Sequence, residues 1–62
     1  MEVTKQEMLD ILDGQKGKVA IAYKTYLIGG SIAVARVFAM YDSDIEMLND
    51  ICRVYGQYEV IS

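Results

Sequence analysis

A chain of 62 residues, 53% of them hydrophobic and none of them proline, is too apolar for a disordered tail and too short for two domains. Residues 1–62 are therefore expected to form one small globular domain, and a net charge of -3 with six scattered basic residues argues against binding to nucleic acid. A single cysteine without any histidine excludes an internal disulfide and disfavours a structural zinc site.

The first predicted element is a helix over residues 4–13, TKQEMLDILD. Thr4 and Glu7 have the spacing of a capping box, in which each side chain accepts a hydrogen bond from the backbone N–H of the other residue. Gly14 follows the helix directly and suits the left-handed residue that ends many helices. The side of this helix that faces the core is expected to carry Met8, Leu9, Ile11 and Leu12.

Residues 18–41 are predicted to form an antiparallel hairpin, with strands over about 18–28 and 31–41 joined at Gly29-Gly30. A type I′ turn needs positive φ at both central residues, which glycine adopts without a steric penalty. One face of such a hairpin would carry bulky side chains, and the other would be rich in alanine. Because both faces are mostly apolar, both should be covered by helices or by a partner.

Two other interpretations of this segment remain open. A helix over 31–41 is favoured by its alanines, but it would be apolar on all sides apart from Arg36 and would contain several β-branched residues. A membrane span is disfavoured because Lys24 and Arg36 leave eleven residues between them. A span needs about 20 apolar residues, so no membrane association is expected.

A second helix is predicted over residues 43–55, SDIEMLNDICRVY. Ser43 and Glu46 repeat the capping-box spacing, and Gly56 is the stop signal. Its buried stripe is expected to consist of Ile45, Leu48, Ile51, Cys52 and Tyr55. The tail QYEVIS is predicted to be a short third strand, antiparallel to the first hairpin strand. The predicted class is therefore α+β, in the order helix, strand, strand, helix, strand.

No residue pattern in the chain is typical of a catalytic or cofactor site. Cys52 has no histidine to act as its base, so a catalytic thiol is not expected. Asp42, Asp44 and Glu46 alternate like metal ligands, but they lack the twelve-residue loop of a calcium site, and helix capping explains them. The chain is therefore expected to be non-enzymatic, without a metal or a cofactor.

Tyrosine is favoured at recognition surfaces because it combines a large contact area with a polar tip. Tyr26 and Tyr41 interrupt the small face of the predicted hairpin, which makes them the best candidates for exposed contacts. The residues predicted to form a protein interface are Tyr23, Tyr26, Arg36, Phe38, Met40 and Tyr41.

A core this small is marginal on its own, so association with a partner is expected to stabilise it. The favoured function is that of a protein that binds another protein, as an inhibitor, adaptor or regulatory subunit, and that self-associates as a homodimer or a larger oligomer. Compact acidic inhibitors encoded by viruses and mobile elements are similar to it in size and charge. A cytoplasmic location is expected because the start, MEVTKQEMLD, has no features of a signal peptide.

The alternative function is a dimeric binder of small anionic ligands. In this hypothesis Arg36 lies in a pocket lined also by Tyr23 and Phe38, since a buried guanidinium without a partner would attract an anion.

Overall fold

The computed structural model describes residues 1–30, 32–33 and 40–61. In chain order its elements are strand β1 (Glu2–Val3), helix α1 (Lys5–Leu12), helix α2 (Lys18–Gly29), helix α3 (Asp44–Tyr55) and strand β2 (Glu59–Val60). Ile32 and Ala33 also have helical backbone. Over these residues the fold is mainly helical, with a single short pair of strands, so the predicted α+β class and element order are wrong.

The structure confirms helix α1 and its predicted ends. The Glu7 N–H donates to Thr4 Oγ1 at 3.1 Å, and the Thr4 N–H donates to Glu7 Oε1 at 3.0 Å, which completes the capping box. Gly14 has a φ of 83°, in the left-handed region expected beyond the helix end. These local hydrogen bonds fix the position of the first residue of α1, Lys5, on the surface.

The predicted hairpin is wrong, because residues 18–29 form helix α2. Gly29 is the last residue of that helix, and Gly30, with φ of 63° and ψ of 20°, donates its N–H to the carbonyl oxygen of Tyr26 at 2.9 Å. The glycine pair therefore ends a helix in a left-handed cap instead of reversing a strand. Ile32 and Ala33 are helical rather than extended, and the rest of the second predicted strand, 34–39, lies outside the described residues.

Apolar residues occupy nearly every side of helix α2. Ala20 and Ala22 are buried, yet Ile21 is 45% exposed and Ile28 is 63% exposed. With apolar side chains on both faces, neither a helical nor a strand period stands out in the sequence. Alanine has the best intrinsic helix propensity, and its small side chain lets neighbouring helices approach closely.

The core lies where α2 packs against both α1 and α3. Its largest fully buried side chains are Met8 and Leu12 from α1 and Met47 from α3, none of them more than 1% exposed. The remaining buried residues are Val3, Ala20, Ala22, Tyr23, Tyr41 and Ile51. Within the described ranges, no helix is long and apolar enough to cross a bilayer.

Helix α3 is confirmed, and Ser43 caps it by accepting a hydrogen bond from the Glu46 N–H at 3.1 Å. Gly56, which ends it, has a φ of -65° and not the left-handed value expected. Glycine is nevertheless required there, because a Cβ would collide with the carbonyl oxygen of Cys52.

The buried side of α3 agrees with the predicted stripe in part, since Ile51 is buried and Leu48 and Tyr55 pack against the core as expected. Met47 and Ile51 point into the core, whereas Ile45 is 72% exposed and Cys52 is also exposed. Apolar residues cover about half of the helix circumference, and packing against α2 selects the part centred on Met47 and Ile51. The sequence gives no indication of which part of so wide an apolar arc faces the core.

The tail does form a strand, but its predicted pairing is wrong. Strand β2 lies parallel to β1, with Glu2 opposite Glu59 and Val3 opposite Val60. The Glu59 N–H donates to the Met1 carbonyl at 2.8 Å, and the Ile61 N–H donates to the Val3 carbonyl at 2.9 Å. An antiparallel partner over residues 18–28 does not exist because those residues are helical, so β2 closes the domain against the other end of the chain.

Alanine substitutions at the two adjacent glycines distinguish a helix end from a hairpin turn. Gly29→Ala is expected to stabilise the domain by about 0.5 to 1 kcal/mol, because Gly29 is helical and has open space around a Cβ. Gly30→Ala is expected to destabilise it by about 1 kcal/mol, because Gly30 has positive φ. Free energies of unfolding from urea titrations followed by circular dichroism check both values. Similar losses at both positions would instead indicate a type I′ turn.

Candidate functional site

An open groove of about 460 Å³ lies on the surface between the start of α1, the end of α2 and strand β2. Its lining residues are Lys5, Tyr26, Leu27, Gly30, Val60 and Ile61. Four of the lining side chains are apolar or aromatic, polar atoms contribute almost half of the exposed lining, and among these residues Lys5 carries the charge. A surface of this kind can bury an apolar group and attract an anionic one at its edge.

Two helix ends and one long-range strand pairing position the groove. The Thr4 cap sets the first residue of α1, Lys5, at one edge. The left-handed Gly30 stops α2 directly after the turn that carries Tyr26 and Leu27, both of which are half-buried. The parallel pairing of β2 with β1 then brings the last part of the chain to the same place, where Ile61 is 52% exposed.

The structure separates the residues that were predicted to share an interface. Tyr26 lines the groove, and Met40 is 82% exposed at a positive φ of 57°. Tyr23 and Tyr41 are buried in the core, so Tyr41 does not provide the exposed contact expected of it. The other two predicted interface residues, Arg36 and Phe38, lie outside the described residues. Participation of these side chains in an interface stays a prediction.

Five lining residues were not predicted as part of any site, namely Lys5, Leu27, Gly30, Val60 and Ile61. In an extended tail, successive side chains alternate, so Tyr58 and Val60 share one side and Glu59 and Ile61 share the other. The structure agrees, since Tyr58 and Val60 pack against the core while Glu59 and Ile61 are exposed. Only the pairing of β2 with β1 could have shown that these residues lie beside α1 and α2.

Tyr23 is buried in the core and packs against helix α3. Its ring lies 5.7 Å from that of Tyr55 on α3, with a tilt of 46° between the ring planes, as is common for packed aromatic pairs. Burial raises the pKa of the Tyr23 hydroxyl above its ordinary value, and nearby Cys52 and Tyr26 contribute in the same direction. The predicted anion pocket of Arg36, Tyr23 and Phe38 was placed on a hairpin face that does not exist, and Tyr23 instead joins α2 to α3.

Tyr41 lies at the start of the segment that leads into α3, with its ring under the ammonium group of Lys18. The Lys18 Nζ is 4.1 Å from the ring centroid, which is a cation–π contact between α2 and this segment. The buried hydroxyl has no partner at good hydrogen-bond geometry, although the Asp50 carboxylate lies nearby. Burial first, and this carboxylate second, raise the pKa of the Tyr41 hydroxyl.

Tyr41→Phe removes this hydroxyl and keeps the ring beneath Lys18. The free energy of unfolding near neutral pH is expected to change by less than about 1 kcal/mol, because no well-formed hydrogen bond is lost. In the wild type a raised folded-state pKa stabilises the fold below the ordinary value of 10.0, and this contribution is lost as the pH rises through the folded pKa. Stability should therefore fall less steeply above about pH 10 in Tyr41→Phe than in the wild type.

Urea midpoints measured near neutral pH and at alkaline pH test this expectation for both proteins. Equal alkaline losses in the two proteins would show that Tyr41 does not contribute to the pH dependence.

The groove carries no feature that assigns it a reaction. Within the described part of the chain, no group of three or more cysteine, aspartate or glutamate side chains is arranged to hold a metal ion. No protein-family model, curated protein or solved structure matches this chain. The chemistry that the groove offers is that of its own lining, which combines apolar side chains with polar atoms and the ammonium group of Lys5.

Proposed function

We propose that this chain is a non-enzymatic protein-binding domain whose groove holds an apolar segment of another protein, next to a carboxylate of that protein. The groove itself is the observation that carries the proposal. Tyr26, Leu27 and Val60 provide apolar contact area, and Lys5 provides a cation at the edge. Burial of apolar groups supplies most of the affinity in such an interface, while a charge at its rim favours one orientation and one sign of partner.

The exposed apolar side chains of the chain give weaker support to a protein-binding function. Large hydrophobic residues that are exposed include Met1, Ile21, Ile28, Met40, Ile45, Val54 and Ile61. Single exposed hydrophobic residues are normal on protein surfaces, whereas contiguous ones indicate contact sites. Ile61 is the member of this set that adjoins other apolar residues in a concave surface, because it lines the groove with Tyr26 and Leu27.

The proposed setting is the cytoplasm, and the proposed role is that of an adaptor or a regulatory subunit. Cys52 is a free, exposed thiol, and such a thiol would form disulfides with other chains in an oxidising compartment. A reducing compartment keeps it as a thiol and leaves α3 unmodified.

A library of displayed peptides, selected on the purified protein, tests the groove. Enriched peptides are expected to combine a bulky apolar residue with an aspartate or glutamate. Lys5→Glu and Ile61→Glu should each weaken binding of the enriched peptides by about tenfold, by repelling the carboxylate or by charging the apolar lining. Ile21→Glu is the matched control, since Ile21 is exposed on α2 outside the groove, and it should leave the affinity unchanged.

Both groove variants are expected to remain folded. Ile61 is already half-exposed, and a glutamate at the first residue of α1 interacts favourably with the helix dipole. Circular dichroism spectra confirm this before binding is measured. The proposal fails if selection enriches no peptide motif, if the enriched peptides are basic, or if Ile21→Glu weakens binding as much as the groove variants do.

A further inference from the structure

The exposed face of α3 carries a pattern that is complementary to itself. We define the outer face of α3 by five exposed residues, which are Ile45, Glu46, Asn49, Cys52 and Arg53. Residues at spacings of three, four and seven lie in rows along a helix, so Ile45, Asn49 and Cys52 form one row. Glu46, Asn49 and Arg53 form the neighbouring row, and Asn49 lies where the two rows meet.

The first row leaves apolar surface uncovered. Ile45 is 72% exposed and Cys52 is exposed, and half-buried Leu48 continues the apolar surface towards the core. Met47 and Ile51 on the opposite side already satisfy the packing against α2. The apolar arc of α3 is therefore wider than the part that its own chain covers, which is typical of a helix with a second packing partner.

The second row selects the orientation of that partner. Glu46 lies in the first turn of α3 and Arg53 in the last turn. If a second copy of α3 is laid antiparallel with Asn49 near the twofold axis, Glu46 of each copy meets Arg53 of the other, and Ile45 of each copy meets Cys52 of the other. A parallel arrangement would place the row of Glu46 and Arg53 against the row of Ile45 and Cys52 of the other copy, so neither charge would meet an opposite one. Antiparallel packing also aligns the two helix dipoles favourably.

We infer that two copies of this chain associate through the outer face of α3, with the two helices antiparallel. Every contact occurs twice, as a twofold interface requires. Arg53 already donates to Asp50 at 3.0 Å, but its side chain is 72% exposed and the guanidinium has further N–H donors for Glu46 of the second copy. The surface is separate from the groove, so the inference does not depend on the proposed function.

The size of α3 limits the strength of this association. A helix of 12 residues is about 18 Å long, and a pair of such helices buries less than the roughly 800 Å² per partner of a standard interface. Association is therefore expected to be reversible and to depend on protein concentration.

Sedimentation velocity over a range of concentrations, up to about millimolar, tests the inference. The average mass of the wild type should rise with concentration towards that of two chains. Glu46→Arg and Arg53→Glu should each weaken the association constant by about tenfold, because each change places like charges opposite each other twice. The double variant, Glu46→Arg with Arg53→Glu, should restore association. Glu2→Arg is the control for Glu46→Arg, since it changes the net charge by the same amount and sign at an exposed position on β1 and should have no effect on association beyond that of net charge.

Disulfide crosslinking tests the antiparallel orientation of the two helices without the charge variants. One of those variants, Glu46→Arg, changes a residue in the first turn of α3. With diamide as the oxidant, Ile45→Cys should form covalent dimers through Cys52 of the second copy, whereas the wild type and Ile21→Cys should form few. The inference is overturned by a wild type that stays monomeric at every concentration, by a double variant that is no better than the single variants, or by wild-type crosslinking equal to that of Ile45→Cys.

Discussion

The packing of helix α2 between α1 and α3 is the interaction on which the rest of the described structure depends. Ala20 and Ala22 are buried in the same core cluster as Met8 and Met47, and small side chains of this kind allow close helix packing. The end of α2 at Gly30 then sets one side of the groove. The same packing turns the Met47 side of α3 inwards and leaves its outer face in solvent. The positions of both proposed binding surfaces therefore depend on the packing of α1 and α3 against α2.

Helices α1 and α3 could be predicted from the sequence because their ends are set by local hydrogen bonds, with Thr4 and Ser43 as caps. The central segment could not, because Gly29-Gly30 suits both a type I′ turn and the left-handed end of a helix. Apolar residues surround α2 on nearly all sides, so periodicity did not decide between these two structures. Tertiary packing, which the sequence pattern does not show, selects the helix.

The candidate site was still less predictable. Tyr26 was expected at an interface and does line the groove, but Lys5 and Ile61 reach it only because the two ends of the chain pair in parallel. Self-association was expected because the core is small and because both faces of an apolar hairpin would need covering, and the second reason disappears with the hairpin. The outer face of α3 provides a different reason, since residues assigned to its buried stripe, Ile45 and Cys52, remain exposed.

The most direct test of this account is the backbone conformation of residues 18–29 in solution, measured by NMR. Cα chemical shifts displaced downfield throughout the segment, strong sequential amide NOEs and NOEs between the rings of Tyr23 and Tyr55 are the predicted result, because the segment is helical and the two rings lie 5.7 Å apart. Upfield Cα shifts, together with NOEs between backbones paired across Gly29-Gly30, would contradict the packing of α2 and with it the groove.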